Sequence, residues 1–183
     1  MALKATIFKA ELQIADMDRQ YYAAHSLTIA RHPSETDERM MLRLLVFALA
    51  ADEQLSFTRG ISNDDEPDLW QRNLSGEIEH WIELGQPDEK RLRKACGRAR
   101  RVTVHPYGGG ADIWWAQNRE RLQRFDNLTV TAFPAESGAA LACMAQRNMQ
   151  LQCNIQDGEA WFSDGENNLS IAPQQWKTAA SAQ

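Results

Sequence analysis

The sequence predicts a mixed α/β (α+β) fold: a central mixed β-sheet flanked by helices, with an added N-terminal hairpin and C-terminal strands. Three observations predict it. Leu3 to Ile14 alternates apolar and polar residues, as a half-buried strand does. Pro33-Ser34 followed by Glu35-Thr-Asp-Glu38 marks a helix start, with acids where the helix dipole favours them. Beyond that helix, strand and helix signals succeed one another to the end of the chain.

The elements follow in order. Tyr22 to Ala30 is the partner of the first strand, joined through Asp16-Met-Asp-Arg19. Ser34 is the expected N-cap of a helix running to about Ala51. Leu55 to Arg59 is a short strand, and the polar Asp64-Asp-Glu-Pro-Asp68 leads into another, Leu69 to Arg72. Glu77 to Leu84 alternates, with Glu77, Glu79, Trp81 and Glu83 on one face and Ile78, His80, Ile82 and Leu84 on the other. Pro87-Asp88 opens a helix whose apolar positions are Leu92, Ala95, Cys96 and Ala99. Val102 to His105 is a strand and Gly108 to Gly110 a turn. Asp112 to Leu122 is helical, Leu128 to Phe133 a strand and Glu136 to Arg147 a helix. Met149 to Ile155 and Ala160 to Phe162 flank Asp157-Gly158, a hairpin turn. The tail after Trp176 is small, polar and expected to fray.

Composition narrows the function classes. A chain of 183 residues, 43% hydrophobic and 25% charged, reads as one globular domain spanning 1–183. The longest uncharged apolar run, Leu44 to Ala51, falls far short of the ~20 residues of a membrane span. Met-Ala-Leu-Lys at the start has no apolar signal region. Cys96, Cys143 and Cys153 fit neither a disulfide framework nor a zinc pattern, which points to buried thiols in a cytoplasmic protein. Net charge is −5, unevenly spread. Of the 25 acids, 14 lie between Glu35 and Glu89, and the basic run Lys90, Arg91, Arg93, Lys94, Arg98, Arg100 and Arg101 follows. That pattern suits either a solvated helix face or a phosphate backbone held beside a carboxylate-rich pocket.

Several chemistries are absent. No phosphate-binding Gly-Lys-Ser/Thr loop, dinucleotide glycine fingerprint or Gly-x-Ser-x-Gly elbow occurs. His25, His32, His80 and His105 form no metal-binding pair and are read as structural. What remains is a set of acids. Glu38 lies at the upper edge of the core-facing stripe of Met41, Leu42, Leu45 and Leu49, Asp68 begins one strand, and Glu83 ends the next. One helix and two strands then aim three carboxylates at one point, the oxygen set that Mg²⁺ or Mn²⁺ takes. The structural alternative is that Glu38 pairs with Arg43, Asp68 caps a turn and Glu83 faces solvent.

Met1-Ala-Leu-Lys-Ala-Thr-Ile, Ala30-Arg-His-Pro-Ser-Glu-Thr-Asp-Glu-Arg-Met-Met-Leu-Arg-Leu-Leu45, Phe57-Thr-Arg-Gly60, Asp64-Asp-Glu-Pro67, Trp81-Ile-Glu-Leu-Gly-Gln-Pro-Asp88 and Ile155-Gln-Asp-Gly158 together resemble the bacterial YaeQ family, over nearly the whole chain. The resemblance implies a variant of the PD-(D/E)xK nuclease core, a helix, three strands, a helix and a strand. That core would fall at about 34–106, with strands 3–30 before it and an αβ extension at 110–176. By the same resemblance Glu38 is the helix carboxylate, Asp68 the acid of the Pro-Asp, and Glu83 the acid of the (D/E)xK strand. The lysine position holds Gly85. Arg91 or Lys94 from the next helix would then supply the cation, and Gln86 is a neutral substitute beside the gap.

Two functions follow. One is a Mg²⁺- or Mn²⁺-dependent phosphodiesterase, with Glu38, Asp68 and Glu83 as ligands. Its nucleic acid would be gripped by Arg91 and Arg98 and stacked on Trp81 or Trp70. The other is a catalytically inactive member of the fold that binds nucleic acid or a protein partner in regulation. Neither involves a membrane.

Overall fold

In the computed structural model, which describes residues 4–59 and 63–180, the alternating N-terminal segment is strand β1 (Thr6–Asp16) and its partner is β2 (Tyr21–Arg31). The expected start at Leu3, Gly60 of the Phe57–Gly60 motif and the last three residues lie outside the described residues. Phe8, Ala10, Leu12 and Ile14 point inward from β1 and are buried, as the alternation requires.

Helix α1 (Asp37–Leu49) starts two residues later than the sequence suggests. Ser34 is not the N-cap, because His32 to Glu35 forms a turn in which Ser34 bonds to the His32 ring. Thr36 caps instead, its hydroxyl accepting from the Arg39 N–H at 3.1 Å. Every residue from Met40 to Ala48 is buried, so α1 is covered on all sides rather than amphipathic.

Then come β3 (Leu55–Phe57), β4 (Leu69–Arg72), β5 (Ile78–Leu84), α2 (Glu89–Arg98) and β6 (Ala99–His105). Asp88 caps α2, accepting from the Arg91 N–H at 2.8 Å. The helix gives way to strand at Ala99, which the sequence pattern had counted within it. Helix α3 (Ala111–Leu122) and β7 (Leu128–Ala132) follow as expected. Helix α4 (Ala135–Ala142) is shorter than predicted. Its end tightens into three-residue turns at Met144 and Ala145, and the Arg147 carbonyl is taken by Lys9 N–H of β1.

Strands β8 (Asn148–Gln156) and β9 (Glu159–Ser163) form the expected hairpin, with positive φ at Asp157 and Gly158. Two strands escaped the sequence reading, β10 (Asn168–Ile171) and β11 (Gln174–Lys177). The tail is held as far as Ala180, whose N–H bonds the Asp126 carbonyl at 2.7 Å.

The single central sheet is corrected to two mixed sheets. The first has the order β10-β9-β8-β1-β2, because β8 pairs parallel with β1 and makes the N-terminal hairpin and C-terminal strands one unit. The second has the order β11-β7-β6-β5-β4-β3, with β5, β6 and β7 parallel. One apolar cluster joins the inner face of the first sheet to α1 and to Leu69, Ile82 and Leu84 of the second. A separate cluster joins the other face of the second sheet to α2 and α3 through Trp81, Leu92, Val102, Trp114 and Val130. Helix α1 thus lies between the sheets, and β4 and β5 are reached by α1 from one side and α2 from the other.

Candidate functional site

At the end of β4 and β5 two of the singled-out acids meet. The Asp68 N–H bonds the Ile82 carbonyl at 3.1 Å, and Leu69 pairs with Ile82, so Asp68 comes beside Glu83. Both carboxylates are buried, each residue 4% exposed. Together with Arg39, Asn63, Gln86 and Arg91 they line an open cavity of about 260 Å³.

Each acid is already partnered. Asp68 accepts from Arg39 at 2.6 Å and from the Leu84 N–H at 2.8 Å. Glu83 accepts from Arg91 at 2.7 Å and from the Trp81 indole at 2.9 Å. Burial pushes the Glu83 carboxyl above its ordinary value, although Arg91 pulls the other way. Burial also works to lower the Arg39 and Arg91 guanidiniums, but the neighbouring acids outweigh it and hold both above their ordinary value.

Sequence reasoning missed Glu35 as a member of this cluster. It is buried before α1 and accepts from Arg43 at 2.6 Å and from Arg39 at 3.3 Å. Arg43, expected as a partner of Glu38, is therefore engaged by Glu35. The signal in the sequence is the spacing of Glu35, Arg39 and Arg43, one helical turn apart.

Glu38 is not among the residues lining that cavity. Its carboxylate lies over Gly138 of α4, so close that a Cβ there would collide with it. Among the described residues no three His, Cys, Asp or Glu side chains group so as to hold a metal ion. Glu35, Asp68 and Glu83 instead meet Arg39, Arg43 and Arg91, three negative charges against three positive. A divalent cation needs carboxylate oxygens that are not already neutralised. The residues present do not fit a resident Mg²⁺ or Mn²⁺ as they are arranged.

The cation that approaches Glu83 is Arg91, and Lys94 pairs with the exposed Asp65 instead. Arg91 also donates to the Asp64 and Glu66 carbonyls, and Arg98 to the Asp65 carbonyl. The basic flank of α2 therefore holds the 64–66 loop, with Arg91 half-buried and Lys94 and Arg98 still exposed. Gln86 donates to the Tyr107 carbonyl at 2.7 Å. Gly85 has φ +103, a backbone conformation that a lysine rarely adopts.

At the other end of β5 lies a larger open cleft of about 520 Å³, lined by Trp70, Arg72, Arg98 and Arg100. The Arg72 guanidinium stacks 5.0 Å from the Trp70 ring centre, and that of Arg98 5.3 Å from Trp81. Trp81 is 1% exposed and presents no face for stacking, contrary to expectation, whereas Trp70 is half-buried. Arg100 meets Glu77 at 3.2 Å and Glu79 at 3.4 Å. All four histidines bond within the fold, to Tyr21, Ser34, Thr103 and the Thr131 carbonyl. The thiols differ from expectation in one case: Cys153 is buried and Cys96 half-buried, but Cys143 is exposed. Among the described residues no helix is long and apolar enough to cross a membrane.

Comparison with known proteins gives a consistent picture. The family model described as YaeQ protein matches residues 1–173. The uncharacterized protein YaeQ of Escherichia coli (strain K12) is 51% identical over 178 residues, covering 97% of this chain and 98% of that one. That of Salmonella typhi is 50% identical over the same span. The crystal structure of YaeQ protein from Xanthomonas axonopodis pv. citri, 50% identical, superposes with a TM-score of 0.92 over 97% of this chain and 99% of that one. The crystal structure of YaeQ protein from Pseudomonas syringae, 34% identical, superposes with a TM-score of 0.89 over 95% and 97%.

Proposed function

The chain belongs to the YaeQ family, and from that premise we propose that it is a nuclease-like protein that binds nucleic acid without cleaving it. The order helix, three strands, helix, strand from Asp37 to His105 supports the likeness to a PD-(D/E)xK core. The observation that carries the loss of cleavage is the pairing of Asp68 with Arg39 and of Glu83 with Arg91. A metal entering there would have to displace two guanidiniums from buried carboxylates. Gly85 adds to this, since its positive φ disfavours a lysine beside Glu83. Arginine in place of that lysine offsets charge but does not take up a proton at working pH.

The Arg72, Arg98 and Arg100 cleft supports the choice of partner. Guanidiniums suit phosphate oxygens, and the half-buried Trp70, covered by Arg72, becomes a face for a base once that guanidinium turns to a phosphate. The Arg100 pairs with Glu77 and Glu79 are weakly held competitors: the Arg100 side chain is 65% exposed, and exposed pairs contribute roughly 0–1 kcal/mol.

Fluorescence anisotropy with labelled single-stranded oligonucleotides at low salt tests this reading. Wild type should bind, and should leave the strand intact with Mn²⁺ present. Arg72→Ala combined with Arg100→Ala should weaken binding and flatten its log–log salt dependence by about 1.4, the value for two phosphates on a single strand. Mn²⁺-dependent cleavage lost in Glu83→Ala would overturn the non-catalytic reading. Absence of binding at low salt would move the assignment to a protein partner.

A further inference from the structure

The two sheets have four edges, and three of them are blunted. Strand β3 is three residues long, β10 is four, and β11 is four with a register shift at Gln175/Lys177. Strand β2 is different. It runs eleven residues, Tyr21–Arg31, is paired on one side only, and keeps an unbroken register with β1 from Tyr21 opposite Asp16 to Arg31 opposite Thr6. Its sequence, YYAAHSLTIAR, contains no proline, no glycine, no lysine and no acid. Proteins normally protect an edge of this length with charge, proline, a bulge or a cover, because every second residue presents an unpaired N–H and C=O. Among the described residues the one side-chain bond to the β2 main chain comes from Arg43, at the Ala30 carbonyl near the strand's end.

The side chains say the same thing. On β1 the inward residues Phe8, Ala10, Leu12 and Ile14 are buried, but on β2 only the inward Ile29 is, and Tyr21, Ala23, His25 and Leu27 are half-buried. Tyr21 and Leu27 pack against the core cluster and still reach solvent. The core is left open along this edge, where one more strand would close it.

We infer that the β2 edge pairs with the β2 edge of a second copy of this chain, antiparallel about a two-fold axis, to make one continuous ten-stranded sheet. The strand is complementary to itself. In the register centred on Ser26, Tyr21 faces Arg31, Tyr22 faces Ala30, Ala23 faces Ile29, Ala24 faces Thr28 and His25 faces Leu27. No like charges meet, a guanidinium comes to lie by an aromatic ring at each end, and residues of each pair share a sheet face. The residues nearest the axis on the outer face, Ala24, Ser26 and Thr28, are small and exposed, so nothing there holds two copies apart. An isologous contact of this kind closes on itself and gives a dimer rather than a fibre.

The test uses the register. Ala24 and Thr28 project from the outer face, away from the core, so their replacement leaves the interior untouched. Sedimentation and light scattering should give wild type twice the mass of the chain. Ala24→Lys with Thr28→Lys sets lysine against lysine at both ends of the axis and should give a folded monomer, with faster hydrogen exchange confined to β2. Ala24→Lys with Thr28→Glu sets lysine against glutamate and should remain a dimer. A monomeric wild type, a lysine–lysine variant that stays dimeric, or equal dissociation of the two charge variants would each overturn the inference.

Discussion

Burial raises the Glu83 carboxyl above its ordinary value, and Arg91 is the group that favours its charged form. Replacing Arg91 with alanine leaves that carboxylate buried with only the Trp81 indole to bond it. The loss at neutral pH should be about 2–3 kcal/mol, below the range for a fully enclosed pair because the Arg91 side chain is 27% exposed. The pH dependence has a definite sign. A carboxyl whose folded pKa is raised contributes stability below its unfolded value, near 4.5, and loses it as pH rises through the folded value. Removing Arg91 raises the folded value further. Denaturant melts of Arg91→Ala and wild type should therefore lie closer together at pH 5 than at pH 8. A gap that is constant between those pH values would mean that Glu83 does not depend on Arg91. Single residues were legible here where their type dictated the role. Asp68 and Glu83 were found because acids at strand ends invite a partner, whereas the choice of guanidinium over metal depends on which arginines fold back, which spacing does not reveal.

Between elements, α4 meets α1 through Leu141 in the shared core and, at one close point, through a glycine. Gly138 lies directly under the Glu38 carboxylate, and a Cβ there would collide with three atoms of that side chain. Gly138→Ala should cost about 1–3 kcal/mol, as overpacked contacts do. Adding Glu38→Ala should recover most of it, and thermal melts of the two single variants and the double variant measure the coupling. Strict additivity would show that the helices do not press on each other through this pair. Helix α4 also shows where element boundaries were hard to read. Glu136 to Arg147 has apolar residues at helical spacing, yet the chain must turn at Met144 to enter β8 beside β1, and that partner lies far away in sequence. Strand β1 was legible because one buried face imposes alternation, and β5, buried on both faces, because Glu77, Glu79 and Glu83 break its apolar run. Strands β10 and β11 were not, since four mostly exposed residues carry too short a pattern.

Across the whole molecule, the division into two sheets was hidden because it is made by long-range pairing. Parallel β1 and β8 are joined through nearly the full chain, and α1 is buried all round because both sheets cover it. That arrangement has a consequence for acid stability. Inside the second sheet His80 bonds Thr103, and His105 bonds the Thr131 carbonyl while stacking on Phe133 at 4.8 Å. Burial, with Arg101 adding to it, lowers His80 to about 3, and burial lowers His105 to about 4. Both stay neutral in the fold, so their contribution is present above 6.5 and lost as pH falls through the folded values. Below 6.5 the unfolded chain takes up two protons that the folded chain refuses, a slope of up to ~2.7 kcal/mol per pH unit. Glu83 works in the opposite direction just above 4.5 and takes back part of that slope. Wild type should therefore lose stability steeply between pH 6.5 and 4.5, before the ordinary carboxylates begin to protonate. His80→Gln with His105→Asn keeps a donor near each bonded nitrogen and removes the titration. Urea melts of this variant should be much shallower over that window, since only His25, which burial also lowers, still weakens the fold toward acid, and Glu83 opposes it. An acid slope equal to that of wild type would place the sensitivity outside the second sheet and refute the assignment.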